Sequence, residues 1–184
     1  MPAPDTTLEG PPRAFDSIFW GGLVAGIDDA IFAVVLYKVT FLRMFQSIAA
    51  GLLGRSSYDG GLSTAVLGAA LHFFIASGAA TVYWAASLKL PVLVRRAVPC
   101  GLAFGVAVFF FMNYVVLQLS AVPRKPTLSL AVIQNPTWLI ALVGHALIIG
   151  LPIALLNRRS ARRAGPRGGL GSVDTVRSGG AEVA

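Results

Sequence analysis

The sequence predicts an all-α fold: an integral membrane four-helix bundle with one short amphipathic interfacial helix between spans 1 and 2. Three observations carry this. Of the 184 residues, 55% are hydrophobic and only 12% charged, with a mean hydropathy of +0.73. Four long apolar runs, residues 15–37, 62–87, 97–119 and 136–156, contain few charges, and about 18 such residues in a row read as a transmembrane helix. At about 1.5 Å of rise per residue, each run covers the roughly 30 Å hydrocarbon core. A soluble chain of this size has nowhere to bury four such helices.

Residues 1–14 are Pro-rich and expected to be disordered. The first run is read as a retained helix rather than a signal peptide. Its leader has Arg13 against Asp5 and Glu9, where a signal n-region is positive. Next comes "FLRMFQSIAAGLLG", residues 41–54, with apolar residues at 41, 42, 44, 45, 48, 49, 52 and 53. Arg43, Gln46, Ser47 and Ala50 fall on the other side, the pattern of an amphipathic helix too short to span. An added turn or two of ordinary loop helix is the competing reading. "RSSYDGG" makes a turn at Asp59-Gly60, and the short "LKLPVLVRR" makes the second and third spans antiparallel neighbours. Asn135-Pro136 is a helix start, an N-cap followed by proline at the first helical position. Pro152 removes one backbone N–H within span 4 and predicts a kink there. Residues 157–184, rich in Gly and Arg, read as a disordered basic tail.

Lys and Arg counts set the orientation. With four spans, the N-terminus, the loop at 88–96 and the C-terminal tail share a side and carry ten of the 15 basic residues. Both termini are therefore expected to be cytoplasmic. Arg158, Arg159, Arg162 and Arg163 would lie against the inner leaflet, where attraction to anionic lipid is worth about 1 kcal/mol per basic residue. The bilayer is the expected partner, and no nucleic acid is. Trp20 and Trp84 at one interface, with Tyr37, Tyr58 and Trp138 at the other, fit an aromatic belt. The single Cys100 excludes an intrachain disulfide.

Asp28 and Asp29 stand inside the first span. A centrally placed Asp costs about 2.5–3.5 kcal/mol on insertion scales, and two cancel most of what the apolar residues of one helix return. Span 1 is therefore expected to be stable only when packed, or when one or both acids are protonated, since burial in low dielectric favours the neutral carboxyl. Gly22 and Gly26 form a G-x-x-x-G, the small-residue surface on which membrane helices approach closely. Asp29 is two turns beyond Gly22, so it is expected in a helix–helix contact, with Asp28 turned about 100° toward a groove or cavity. Span 2 offers His72 on a stripe of Ala65, Gly68, Ala76 and Ala79. Span 3 offers a second G-x-x-x-G, Gly101 and Gly105, then Asn113, and span 4 offers His145. Counted from the outer ends of the spans, Asp28, Asp29, His72, Asn113 and His145 fall in one layer, roughly 9–15 Å deep. Such a layer could relay protons, hold a cation or bind a small ligand. It could also be structural, interhelical hydrogen bonds and a neutralised Asp–His pair that fix register. Two His and one or two Asp suffice to ligate a divalent metal, but no H-x-x-H or E-x-x-H spacing supports one.

Enzyme signatures are absent: no Gly-rich phosphate loop, G-x-S-x-G or H-E-x-x-H occurs, and no cofactor is called for. The order of features resembles small uncharacterised four-helix bacterial inner-membrane proteins of the YagU-like group. The shared motifs are "GGLVAG" opening span 1, "LHFFIASGAATVYWAA" in span 2, a Pro-containing loop, "LSAVP" after span 3 and "GH" in span 4. That resemblance implies an inner-membrane protein and carries over no catalytic residue. Two functions stand: a transport, permeation or sensing component built on the Asp/His layer, or a non-catalytic structural or assembly subunit. A homodimer through lipid-facing G-x-x-x-G surfaces, or another membrane subunit, is a further expectation.

Overall fold

The structure is a computed structural model that describes residues 11–123 and 125–164. Those residues are all helix, turn and coil, with no strand among them. Four helices are long and apolar enough to cross a membrane: α1 (Asp16–Tyr37), α3 (Gly61–Lys89), α5 (Ala97–Leu119) and α7 (Pro136–Ala164). Shorter helices join them: α2 (Phe41–Leu53), α4 (Val92–Arg95) and α6 (Leu130–Ile133). One end of the bundle carries α2 and residues 120–123 and 125–135, here the loop end. The other, the terminal end, carries residues 11–15, α4 and the last turns of α7.

Local chemistry sets the helix ends. α1 stops where Lys38 turns left-handed (φ 52°) and its N–H bonds Val34 O. Thr40 caps α2, its Oγ1 accepting from Arg43 N at 3.2 Å, and Asn135 caps α7, its Oδ1 accepting from Thr137 N at 2.9 Å beside Pro136. Each cap satisfies an N–H that the first helical turn cannot.

The interior is built from small side chains. Ala25, Ala80, Ala97 and Ala154 pack with Tyr83, Ile149 and Ile153 in the main core. Large apolar residues point outward instead, among them Ile31, Val35, Val66, Phe74, Phe111 and Leu147. Close backbone approach explains the arrangement. A methyl on Gly26 would lie 2.8 Å from the Phe73 ring of α3, and one on Gly101 would lie 2.8 Å from Gly150 O of α7. Both G-x-x-x-G motifs are thus used inside the chain, Gly22 and Gly26 against α3, Gly101 and Gly105 against α7. Packing without bulky interdigitation needs such glycines, because dispersion falls off steeply with distance.

Two expectations of disorder are corrected. Residues 157–164 are not disordered but the last turns of α7, held by the buried face of Asn157, Ser160 and Ala161. Residues 11–14 are also placed: Pro12 is buried, and its carbonyl accepts from Trp84 Nε1 at 2.9 Å. Residues 1–10 and 165–184 lie outside the described residues. In α2, Gln46 and Ala50 are buried, with Met44 and Ala49, against α3, while Phe41, Leu42, Leu52 and Leu53 are exposed. The face that meets the bundle mixes both sets, Met44 and Ala49 from the apolar side and Gln46 and Ala50 from the other, while Arg43 and Ser47 are exposed. Gln46 reaches Gly61 O at 3.0 Å, and Gly68 gives α2 room at the Phe45 backbone.

Candidate functional site

Three of the four long helices contain a wide, π-type turn. These are Asp16–Trp20 in α1, Met112–Val116 in α5 and His145–Gly150 in α7. A π-turn admits one extra residue and occurs often at functional sites. Two of the three carry predicted polar residues, Asn113 and His145. Each side chain bonds a carbonyl four residues back on its own helix: Asn113 Nδ2 donates to Phe109 O at 2.9 Å, and His145 Nδ1 donates to Ala141 O at 2.8 Å. A side chain inserted into the helical ladder is a known cause of such distortion. In α7, Pro152 follows directly and cannot donate to Ile148 O, a second cause.

Asp29, His72, Asn113 and His145, one from each long helix, line a single cavity of about 290 Å³. Its other walls are mostly apolar, including Phe32, Met44, Ile75, Met112 and Leu117, with Tyr37 and Ser47 as further polar lining. Ala25, Ala79, Val108 and Ile149 belong to both this cavity and the main core or its packed shell, so the core is the floor toward the terminal end. At the loop end, Ser47 and Leu117 also line a groove of about 500 Å³ with Arg55, Tyr58, Val122 and Pro123. Arg43 stacks over the Tyr58 ring at 4.3 Å beside it. Cavity and groove therefore adjoin.

Neither acid takes the place expected of it. Asp29 lines the cavity, whereas Asp28 is half-buried and not among the lining residues. The Gly22–Gly26 face does meet α3, but α2 leans on α3 through Gly68. At the level of Asp29 the gap between α1 and α3 is walled by Met44, His72 and Ala76 rather than closed.

No Asp–His pair forms. His72 Nε2 lies 2.8 Å from Gly26 O, across the α1–α3 contact. A carbonyl only accepts, so Nε2 carries the proton there and Nδ1 is the remaining nitrogen. By the same argument His145 keeps Nε2. Neither Asp28 nor Asp29 has a hydrogen bond or ion pair among the described residues. No group of three or more His, Cys, Asp or Glu is placed to hold a metal ion among those residues.

Sequence reasoning missed a second polar layer at the terminal end. Ser160 Oγ donates to Asn157 O at 2.9 Å, so its 2.7 Å partner Ser17 Oγ is the donor between them. Asn157 Nδ2 donates to Ser87 Oγ at 3.0 Å, which donates to Trp84 O. These four side chains are almost wholly buried, and Tyr83 OH closes the layer on Leu93 O at 2.9 Å. The signal was the i, i+3 pair Asn157 and Ser160, in line with Ala154 and Ala161. Outside it, Asp16, Trp20, Arg159 and Arg163 line a surface groove of about 310 Å³. Arg162 is exposed and Arg158 half-buried on the same turns.

Comparison with protein-family models, with curated proteins and with solved structures gives no match to this chain.

Proposed function

We propose that the chain is a multi-pass membrane protein whose loop-end cavity is its working site, in a transport, permeation or sensing component. The single observation that carries this is the convergence of Asp29, His72, Asn113 and His145 on one cavity. Ionisable groups inside a membrane bundle are costly and mark functional pathways. The outward coat of large apolar side chains over a small-residue interior supports the bilayer setting. Basic residues concentrate at the terminal end, which supports cytoplasmic termini. Arg158, Arg159, Arg162 and Arg163, on the last turns of α7, suit contact with anionic lipid. The bacterial inner membrane is the setting that the YagU-like resemblance implies. The core beneath the cavity favours a site entered from one side over an open pore.

A structural or assembly subunit is the second reading, and the His72–Gly26 bond between α1 and α3 favours it. One experiment separates the two. In a Cys100→Ala background, Ala76→Cys places a thiol in the cavity wall. A charged, membrane-impermeant thiosulfonate added outside sealed cells is expected to modify it. No modification, either from outside or after permeabilisation, would mean that the cavity is closed packing and the structural reading stands.

A further inference from the structure

We infer that the cavity accepts a compact organic monocation bearing several N–H donors, a protonated amine or amidinium on a small apolar body. This deepens the proposed function and rests on the cavity being the working site. The argument counts donors and acceptors. His72 and His145 each commit one N–H to a backbone carbonyl, so the neutral rings present acceptors, Nδ1 and Nε2 respectively. Ser47 Oγ donates to Met44 O at 2.6 Å and keeps only acceptor capacity. Asn113 has one Nδ2 hydrogen on Phe109 O, leaving Oδ1 and one donor. Asp29, as a carboxylate, accepts only. With Tyr37 O–H the remaining donor side chain, the lining is strongly acceptor-rich.

An acceptor-rich cavity with one carboxylate repels anions and leaves a donor-poor ligand unpaired, at the full cost of burying polar groups. Among the described residues no Lys or Arg lines the cavity to neutralise Asp29, so the occupant brings the positive charge. About 290 Å³ is room for on the order of ten water-sized groups, too large for a bare ion held by four side chains. The apolar walls, Phe32, Ile75 and Met112 among them, take the ligand's body. Arg55 in the adjoining groove stands against a second positive charge, which restricts the ligand to one.

The test uses the full chain in phosphatidylcholine nanodiscs, with empty nanodiscs as reference, and titration calorimetry of three isosteres: benzylammonium, benzyl alcohol and benzoate. Benzylammonium is expected to bind saturably, at least tenfold more tightly than either of the others. Asp29→Asn is expected to remove that preference, and Asp28→Asn to leave it intact. Equal affinity for the alcohol, an unchanged preference in Asp29→Asn, or binding of none of the three would overturn the inference. The Ala76→Cys labelling is read separately. A reactive thiol without amine preference defeats this inference alone, whereas an unreactive one defeats the proposed function beneath it.

Discussion

His72 and His145 each bind a backbone carbonyl through one ring nitrogen, but the two bonds differ in consequence. His145 bonds its own helix, at Ala141 O, whereas His72 ties α3 to Gly26 of α1. Removing the second should therefore loosen a tertiary contact. His72→Leu is expected to lower stability by about 0.5–1.5 kcal/mol, the range for interhelical hydrogen bonds in membrane bundles. Reversible unfolding in mixed micelles measures it, and an unchanged midpoint would show that the bond contributes nothing net. At this scale the sequence was a partial guide. Periodicity grouped Asp28, Asp29, His72, Asn113 and His145 in one layer, and all of these but Asp28 line one cavity. It assigned the wrong acid to the cavity, because a helical wheel gives angles around one axis and not how far neighbouring helices splay.

Helices α1, α3, α5 and α7 were legible from their apolar runs, and the Asn135 cap from its dipeptide. The wide turns were not. They follow from contacts between helices and from side chains entering the ladder, which no local composition announces. The C-terminal extension of α7 was hidden for another reason: its exposed arginines dominate the composition, while Asn157, Ser160 and Ala161 form a narrow buried line. Glycines provide the test at this scale. Gly105→Ala would put a methyl 2.5 Å from Ala146 Cα, against backbone that cannot turn aside. It is expected to cost about 2 kcal/mol or more. Gly78→Ala, with nothing within 4 Å of the added methyl, is expected to be neutral or to stabilise by up to about 1 kcal/mol. The same micelle unfolding ranks the pair, and equal effects would contradict the close α5–α7 approach.

For the molecule as a whole, the two ends differ in construction. The loop end is hollow and the terminal end is solid, with a small-residue core and a buried Ser17–Ser160–Asn157–Ser87 chain of hydroxyl and amide groups. The proposed orientation gives this contrast a direction, with the hollow end outward. In a Cys100→Ala background, Asp59→Cys is expected to react with an impermeant maleimide on intact cells. Arg163→Cys is expected to react only after permeabilisation. The reverse pattern would invert the topology and place the entrance on the cytoplasmic side.

The π-turn at His145–Gly150 holds one more residue than a regular helix would need over the same rise. Deleting that spare residue would restore the regular ladder over the same rise and leave the turns on either side in phase, so the imidazole would keep its place. One residue removed from the regular turns of Leu151–Ala164 would instead swing everything before it by about 100° around the axis and carry the imidazole out of the cavity. The wide turn is a length buffer: this helix tolerates a lost codon there and not in the turns that follow.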